Sequence, residues 1–243
     1  MKRALIRIKA SVKGLILVIR PYIILGWLRR PLLKASCMLS LSKWIAGQDR
    51  KAILNDFWTF SRDYSKRYQL YQYVVDILHL KNEAFDYFEF GVSGGYSFNW
   101  WLNTCVNNES RFYGFDTFEG LPEKWGTFNR GDMAADIPET DDPRAEFIKG
   151  LFQDTMQDFC NSHEMAAAKR KIIHLDADLF SSTLFALVSM SPYLKKGDIL
   201  FFDEFSVPDH EFRALSIFCE SWYVRTKLLG AVNNFLQTSF MIE

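Results

Sequence analysis

Short apolar runs alternate with helix-length segments through most of this chain, and this alternation constrains its fold more than any other feature. Strands that alternate with helices form a mostly parallel sheet with helices on both faces, an α/β fold. The last two apolar runs have no helix between them, so we expect them to form an antiparallel hairpin. The predicted helices are residues 53–80, Gly95–Val106, Asp154–Ala168, Ser181–Tyr193 and Glu211–Ser221. The seven predicted strands are Phe85–Phe90, Arg111–Phe115, Phe147–Lys149, Lys171–Leu175, Asp198–Phe202, Trp222–Leu228 and Phe235–Ile242.

The composition fits a globular protein with a large core. Of the 243 residues, 49% are hydrophobic and 16% are aromatic, which excludes a disordered chain, a collagen and a coiled coil. The four cysteines lie far apart in the sequence and lack the spacing of a zinc site. We therefore expect ordinary thiols in a reducing compartment, which predicts a cytoplasmic protein.

Charge divides the chain into two regions. Residues 1–48 hold ten Lys or Arg and no Asp or Glu, whereas residues 49–243 hold 19 basic and 29 acidic residues. We call residues 1–48 the arm and residues 49–243 the body, and we expect the body to carry the chemistry. Basic residues interleaved with Ile and Leu do not form the polar groove that binds nucleic acid, so no nucleic-acid partner is expected.

Two roles are open for the arm. Its longest apolar stretch, residues 14–28, has 15 residues and contains Arg20 and Pro21, whereas a membrane-spanning helix needs about 20 apolar residues. The arm can instead lie in the plane of a membrane, with apolar side chains in the acyl boundary and bases on anionic headgroups. This role predicts peripheral contact at the inner membrane face. Alternatively, the arm is a helical extension that packs on the body or on a second copy of the chain, as in a homodimer.

A glycine-rich loop follows the first predicted strand, at the sheet edge where parallel α/β proteins bind ligands. The strand ends with Glu89 and leads through Gly91 and Gly95 into a helix, so a ligand can approach the backbone and the free N–H groups of that helix. The loop lacks the G-x-G-x-x-G spacing of dinucleotide-binding proteins. A carboxylate at Glu89 repels a pyrophosphate and favours a ligand with a cationic centre.

Further ligand contacts are predicted after the second and third strands. Asp116 ends the second strand, where an acid commonly holds both hydroxyls of a ribose. After the third strand, Phe152 can pack on a base and Gln153 can bind the edge of that base. Residues 117–146 are rich in Gly, Pro and acids and are too long for a simple connection, so we predict a lid over the site.

Four carboxylates follow the next two strands: Asp176 and Asp178 after one, and Asp203 and Glu204 after the other. Carboxylates that converge at one sheet edge repel each other unless a cation or protons intervene. Oxygen ligands of this kind suit Mg²⁺ or a similar ion. The alternative is that these acids cap the helices that follow them.

Together these segments resemble the macrocin O-methyltransferase family. The resemblance implies the Rossmann-like fold of class I methyltransferases, with a seven-stranded sheet that ends in an antiparallel hairpin, and S-adenosylmethionine as the cofactor. The segments that carry it, within residues 50–243, are Glu89–Gly95, Phe115–Glu123, Leu175–Thr183 and Phe202–Glu204. By this resemblance the Glu89–Gly95 loop would hold the methionine moiety, Asp116 the ribose, and Phe152 and Gln153 the adenine, with Ser97 and Thr117 also among the cofactor-binding residues.

The same resemblance implies a metal-assisted reaction. A divalent ion lowers the pKa of a bound hydroxyl and fixes its position in line with the methyl group. Leu179 occupies the place where catechol-type relatives have a basic Lys, which leaves Asp178 and His210 as candidate bases. Glu204 stands where macrocin-type enzymes have Asp. The implied metal ligands are Asp176 or Asp178 together with Asp203 and Glu204.

We therefore expect an S-adenosylmethionine-dependent O-methyltransferase that acts on a hydroxyl of a saccharide or glycosylated acceptor. The arm adds the expectation that this acceptor is lipid-linked. Two other classes are considered: an oxidoreductase that uses NAD or a nucleotide sugar, and a non-catalytic binding module on the same fold. The missing dinucleotide spacing and Glu89 disfavour the oxidoreductase, and the presence of all the expected acids disfavours the binding module.

Overall fold

In the computed structural model of the protein, which describes residues 2–165 and 169–243, eight strands form one sheet. The strands are β1 (Leu54–Asn55), β2 (Phe85–Phe90), β3 (Arg111–Asp116), β4 (Ala145–Lys149), β5 (Arg170–Leu175), β6 (Ile199–Phe202), β7 (Thr226–Val232) and β8 (Gln237–Ile242). Across the sheet their order is β1-β7-β8-β6-β5-β2-β3-β4. Within the described residues, β8 alone runs antiparallel to its neighbours, β6 and β7. The predicted mostly parallel α/β sheet with a final antiparallel hairpin is confirmed.

The eighth strand was not predicted from the sequence. Strand β1 is two residues long and pairs in parallel with β7, with Leu54 opposite Gly230 and Asn55 opposite Ala231. The apolar pattern places these residues in a helix over 53–80, but the helix begins at Lys66. A run of two residues carries too little sequence pattern to predict a strand. Its pairing partner, β7, lies near the other end of the chain, so no neighbouring segment indicates the pairing either.

Helices cover both faces of the sheet. The side chains of β2 alternate between two cores, with Phe88 and Phe90 in one and Phe85 and Tyr87 in the other. The helices are α1 (Lys2–Ile19), α2 (Tyr22–Leu25), α3 (Arg29–Ala46), α4 (Lys66–Leu78), α5 (Tyr96–Thr104), α6 (Phe152–Ser162), α7 (Phe180–Met190) and α8 (Glu211–Trp222), with single 3₁₀ turns at Gly26–Leu28, Leu80–Asn82 and Ser191–Tyr193. Helices α4 and α5 contribute to the core that contains Phe85, and α6, α7 and α8 contribute to the core that contains Phe88.

The hairpin strands begin later than predicted. Strand β7 starts at Thr226 because α8 extends to Trp222, and Tyr223 then takes a left-handed backbone conformation with φ of 55°. Strand β8 starts at Gln237 because Asn233–Phe235 form the hairpin turn, each with a positive φ. Local backbone geometry, rather than hydrophobicity, sets these two boundaries.

Two predicted helices differ slightly at their ends. Helix α6 begins at Phe152, two residues before its predicted start, and it ends at Ser162 because His163 takes an extended backbone conformation. The predicted helix to Ala168 was therefore too long, although Ala168 itself lies outside the described residues. The predicted helix Ser181–Tyr193 consists of α7 and the 3₁₀ turn that follows it. Both helices lie where the alternation of apolar runs placed them.

The arm is exposed along almost all of its length. Arg20 takes a left-handed backbone conformation with φ of 52° between α1 and α2. Within the described residues no single helix is long and apolar enough to cross a membrane; Leu5–Ile19 and Tyr22–Ala46, bent by 60°, meet that length and composition only as a pair. Near the end of α3, Leu41 is buried and Trp44 contacts aromatic rings of the body. The arm is therefore attached to the body through its last turns.

Candidate active site

The polar residues predicted at the strand ends meet in one cavity of about 440 Å³. The cavity lies where the chain reverses its order across the sheet, since β3 and β4 lie on one side of β2 and β5 and β6 lie on the other. Open parallel sheets bind ligands at this crevice. Backbone hydrogen bonds continue the sheet into it: the Gly91 N–H donates to the Phe115 carbonyl, and the Asp176 N–H donates to the Phe90 carbonyl, each at 2.9 Å.

Most of the predicted site residues line this cavity. Glu89, Gly95 and His210 are the predicted residues that do not line it. The ones that do are Gly91, Ser97, Asp116, Thr117, Phe152, Gln153, Asp176, Asp178, Asp203 and Glu204. The rule that parallel strands collect polar residues at their carboxyl ends therefore located the cavity correctly.

Gly91 makes the sharp turn that opens the cavity. Its φ is +96°, and a Cβ atom there would lie 2.0 Å from the carbonyl oxygen of Asp176. Because that neighbour is backbone, only glycine fits. Gly95 also has a positive φ, of +74°, but a Cβ there would meet the ring of Pro138 at 2.6 Å. Gly91 thus shapes the cavity. Gly95 instead allows the segment between β3 and β4, which contains Pro138, to approach the start of helix α5.

Asp116 holds the glycine-rich loop in place. Its Oδ2 accepts hydrogen bonds from the backbone N–H groups of Val92 and Ser93, each at 2.8 Å. Its Oδ1 accepts a third, from the N–H of Phe118 at 2.9 Å. The carboxylate therefore joins the turn after β2 to the end of β3. These three bonds use both lone pairs of Oδ2 and one of Oδ1, so a contact of Asp116 with a ribose, predicted from the sequence, would use the lone pair that remains on Oδ1.

Glu89 is fully buried beside Ser97 and Tyr87, and both hydroxyls donate hydrogen bonds to its carboxyl oxygens. Burial raises the pKa of Glu89 to about 8, although these two hydrogen bonds act in the opposite direction. Ser97 lines the cavity and Glu89 does not. In this structure Glu89 faces the cavity through the Ser97 hydroxyl rather than directly.

A histidine and two tyrosines extend this buried polar network. The Tyr87 hydroxyl lies 2.7 Å from Nδ1 of His174, and the Tyr71 hydroxyl lies 3.2 Å from Nε2. Burial lowers the pKa of His174 to about 3, so the ring is neutral. His174 is therefore a core histidine with both ring nitrogens partnered. Sequence reasoning did not identify the tyrosines, which resemble ordinary core residues in the sequence.

Asp176, Asp178, Asp203 and Glu204 converge at the carboxyl ends of β5 and β6, and we call them the carboxyl cluster. All four line the cavity. Burial and repulsion from Asp203 raise the pKa of Asp178 and of Glu204, each to about 7. The pKa values of Asp176 and Asp203 are raised too, chiefly by burial. The predicted convergence of the four acids is observed.

Arg67 supplies a cation to the carboxyl cluster. Its guanidinium comes from α4 and lies 2.8 Å from Oδ2 of Asp203 and 3.7 Å from Oδ2 of Asp176. Arg67 itself lines the cavity. Sequence reasoning missed this residue, because Arg67 and Asp203 lie 136 positions apart and no local motif links them.

The carboxyl cluster does not fit the magnesium site predicted from the sequence. Across residues 2–165 and 169–243, no group of three or more His, Cys, Asp or Glu side chains is arranged to hold a metal ion. The guanidinium beside Asp176 and Asp203 occupies the position of the cation instead. Helix capping does not explain the acids either, because the N-cap residues of α7 and α8 are Leu179 and His210 and neither helix has a side-chain cap.

His210 lies outside the cavity. It is the N-cap residue of α8, and its Nε2 is 3.9 Å from a carboxyl oxygen of Asp209. Among the described residues its buried Nδ1 has no hydrogen-bond partner. Of the two candidate bases predicted from the sequence, the structure brings Asp178 to the cavity, and His210 does not line it.

The long segment between β3 and β4, predicted to be a lid, forms one wall of the cavity. It contributes apolar and aromatic side chains, including the stacked rings of Trp125 and Phe128, whose centroids are 5.5 Å apart. Tyr64, which precedes α4, also lines the cavity. The cavity thus has aromatic walls around a carboxyl cluster, an arrangement that fits a ligand with both apolar and hydroxyl-rich parts.

Comparisons with known proteins agree with this geometry. Residues 88–205 match the family model described as a methyltransferase domain. A comparison with curated protein sequences finds no relative. Among solved structures, the fold is similar to that of CalS11, a calicheamicin methyltransferase, with a TM-score of 0.56 and 19% identity over 86% of this chain and 92% of that one. It is also similar to the O-methyltransferase NovP, with a TM-score of 0.54 and 15% identity over 73% of this chain and 78% of that one.

A second structure of CalS11, an apo form described as a TDP-rhamnose 3′-O-methyltransferase, gives a TM-score of 0.51 and 20% identity over 74% of this chain and 78% of that one. The fold and the domain match together define a class: the protein is an S-adenosylmethionine-dependent methyltransferase with a Rossmann-like sheet. The predicted fold class and enzyme class are confirmed, and the sheet has eight strands rather than seven.

Proposed function

We propose that the protein transfers the methyl group of S-adenosylmethionine to a hydroxyl of a saccharide or glycosylated acceptor. One observation carries the proposal: the Gly91 turn and the carboxyl cluster share one cavity, so a sulfonium cofactor and an acceptor hydroxyl can meet there. The sequence resemblance to macrocin O-methyltransferases favours the same acceptor class. So do the descriptions of two structural neighbours, an O-methyltransferase and a TDP-rhamnose 3′-O-methyltransferase.

The wall around Gly91 fits this cofactor. Gly91 lines the cavity and has no side chain, so a ligand beside it meets main chain. The cavity of about 440 Å³ falls in the range of about 300–1,000 Å³ that is usual for small-molecule sites. When bound, the cofactor supplies a methyl group on a positively charged sulfur. The residues that would hold it are Gly91, Ser97, Asp116, Thr117, Phe152 and Gln153.

The proposed reaction needs alignment and one proton transfer. The sulfur–methyl bond breaks as a carbon–oxygen bond forms, and the hydroxyl proton leaves to a base. Asp178 is the base that the geometry offers, because its carboxyl lines the cavity in a loop that follows β5. Arg67 holds Asp203 and Asp176 in fixed positions, and the aromatic wall restricts the orientation of the acceptor. Such alignment supplies a large part of the rate increase in group transfer.

The magnesium ion that the resemblance implies stays outside this proposal. Arg67 already places a positive charge between Asp176 and Asp203, and a divalent ion there would lie against the guanidinium. Binding of the cofactor, orientation of the acceptor and transfer of the hydroxyl proton are therefore assigned to residues of this protein.

Titration calorimetry with S-adenosylhomocysteine tests the cofactor assignment. We expect micromolar binding both in EDTA and with added Mg²⁺, since the wall around Gly91 requires no metal. The absence of binding in both conditions would contradict the methyltransferase proposal. Binding that requires Mg²⁺ would contradict the role assigned to Arg67.

Turnover by Asp178→Asn tests the base. With a panel of nucleotide sugars and glycosides as acceptors, we expect this variant to lose about 10²–10⁴-fold in S-adenosylhomocysteine formation, because a positioned base contributes that much. Its affinity for S-adenosylhomocysteine should stay near that of the wild type. Asp158→Asn, on the exposed surface of α6, is the matched control and should keep full turnover. Equal turnover by the two variants would remove Asp178 from the mechanism.

A further inference from the structure

The arm presents an apolar face that the body does not cover. On α1 the apolar side chains recur every three or four residues, the spacing that places them on one side of a helix. Beyond the bend at Arg20, further apolar side chains are exposed. We call the following residues the arm face; each is more than half exposed: Leu5, Ile8, Val12, Leu15, Ile19, Ile23, Ile24 and Trp27.

Basic residues flank the arm face without any acid to offset them. Arg7, Lys9 and Lys13 lie on α1, and Arg29 and Arg30 open α3. Two arms packed against each other would bring two sets of ten positive charges together, which opposes self-association. An anionic lipid surface offers the complementary charge together with an apolar layer for the arm face.

The shape of the arm fits a position in the plane of a bilayer. The two parts of the arm meet at a bend of 60°, and in the described residues no single helix is long and apolar enough to cross. Arg20 stands at that bend with bases on both sides of it in the sequence. A helix that lies in the interface keeps such charges at the headgroups, whereas a crossing helix would carry them through the acyl layer.

The end of the arm is packed against the loop that carries part of the carboxyl cluster. The Trp44 ring lies 5.2 Å from that of Phe205 and 6.3 Å from that of Phe212, centroid to centroid. Phe205 directly follows Glu204, which lines the cavity. The attachment of the arm is therefore adjacent to the cavity rather than at a distant edge of the body.

Residues 57–60 form an aromatic loop that is linked to Trp44 through Phe235. The Trp44 ring contacts Phe235, and Phe235 contacts Phe57, at centroid distances of 5.8 and 5.5 Å. The next aromatic residues are exposed: Trp58, and Phe60 with 94% of its surface accessible. Exposed Trp and Phe side chains are favoured at the boundary between headgroups and acyl chains.

From these contacts we propose that the arm face, together with Trp58 and Phe60, docks on the surface of an anionic lipid bilayer. The docked protein holds its cavity beside that surface. Tyr64, four residues after Phe60, lines the cavity, so the aromatic loop leads from the docking surface to the cavity. The acceptor is then a saccharide carried on a lipid; this part of the inference rests on the proposed function.

Vesicle co-sedimentation of the full chain tests the docking surface. We expect the protein to sediment with vesicles of phosphatidylcholine and phosphatidylglycerol, and to be released by high salt because screening weakens surface charge attraction. Replacing Ile8 and Leu15 together by Asp should reduce binding by about tenfold or more, since both lie on the arm face. Phe60→Ala should reduce binding by a smaller factor. Val106→Asp, a comparably exposed apolar position on the body, is the matched control and should bind as the wild type does.

Several results would overturn the inference. Equal binding to vesicles with and without phosphatidylglycerol would contradict the charge argument. No binding to either, or a stable dimer through the arm that leaves vesicles unbound, would contradict the lipid partner. All substituted positions are exposed, and an unchanged melting temperature and affinity for S-adenosylhomocysteine establish that each variant is folded and its cofactor site intact.

The acceptor class is tested separately. Methyl transfer is measured to an alkyl glycoside embedded in anionic vesicles and to the corresponding methyl glycoside in solution. We expect the Ile8→Asp, Leu15→Asp double variant to lose methyl transfer to the embedded glycoside. Its methyl transfer to the soluble glycoside should equal that of the wild type. Equal loss on both, or no loss on either, would overturn the lipid-linked acceptor. A failure of the proposed function is distinguishable, because all methyl transfer would then be absent while vesicle binding persists.

Discussion

The arm and the cavity of this protein place charge in opposite ways. The arm holds ten basic residues in water, with no acid among them and almost no burial. The cavity holds the four acids of the carboxyl cluster with one guanidinium, that of Arg67, beside two of them. Charge on an exposed helix needs no partner inside the molecule, whereas buried charge must be neutralised by a counter-ion or a proton. Equivalent substitutions in the two regions should therefore change the unfolding free energy by very different amounts.

The largest difference is expected between two glycines. Gly91→Ala forces a Cβ to 2.0 Å from a backbone oxygen at φ of +96°, so we expect a loss of about 4 kcal/mol or more of unfolding free energy. Around Gly14, in α1, no atom of the described residues lies within 4 Å of the place that a Cβ would take, apart from its chain neighbours and the nearby backbone of the helix itself. Gly14→Ala should therefore leave body stability unchanged and raise helix content. Urea unfolding and circular dichroism measure both. Similar stabilities for the two variants would mean that the Gly91 turn is not as close-packed as described.

The next largest difference concerns arginine. Arg67→Met removes the guanidinium from Asp176 and Asp203, and leaving buried carboxylates without their counter-charge should lower the unfolding free energy by about 3 kcal/mol. Arg7→Met, on an exposed part of the arm, should change it by less than about 0.5 kcal/mol. Chemical denaturation at neutral pH measures both values. If Arg67→Met were as stable as Arg7→Met, the ion pairs in the cavity would contribute no net stability.

A smaller loss of unfolding free energy is expected when the pH is lowered. The pKa of His174 is lowered to about 3 in the folded protein. In the unfolded chain the imidazole has its ordinary pKa near 6.5, so below pH 6.5 the unfolded state binds a proton that the folded state does not. The stability that the neutral ring provides is present above pH 6.5 and is lost as the pH falls toward 3. Between about pH 7 and pH 5 this group alone should remove about 2 kcal/mol. Unfolding measured across this range should show a shallower loss for His174→Gln.

The control for this prediction is His79→Gln, at an exposed position, which should keep the wild-type pH dependence. The arm holds no His, Asp or Glu, so it contributes no proton uptake in this range. Identical pH profiles for His174→Gln and the wild type would place the acid sensitivity elsewhere in the body. In that case the carboxyls around the cavity would have to be reconsidered as its source.

The sequence predicted the parts of the fold that local pattern determines. Strand β6 (Ile199–Phe202) is a continuous apolar run, and buried parallel strands have that pattern. Strand β1 was missed because Leu54 and Asn55 form a strand only through their pairing with β7. The left-handed residues around the hairpin, such as Tyr223, moved strand boundaries that hydrophobicity alone could not locate.

The site was predicted as a set of residues but not as a set of interactions. The convergence of Asp176 and Asp203 follows from strand topology, so the sequence predicted it. The magnesium prediction is not supported, for a related reason: the sequence shows four negative charges, but it does not show that Arg67 reaches them from a helix far away in the chain. Likewise, the sequence left both Asp178 and His210 open as candidate bases, and the structure brings Asp178, which follows a strand, to the cavity without His210.

The packing of Trp44 has a practical consequence for preparing the enzyme in shortened form. Its ring contacts Phe205, Phe212, Phe235 and Phe240, which lie in two stretches of the body, residues 205–212 and 235–240. A chain cut after Gly47 would open a hole in that aromatic cluster next to Glu204, whereas a chain that begins at Ser40 would keep Leu41 and Trp44 in place. The second cut separates the apolar, basic segment from the catalytic domain without disturbing the domain's interior.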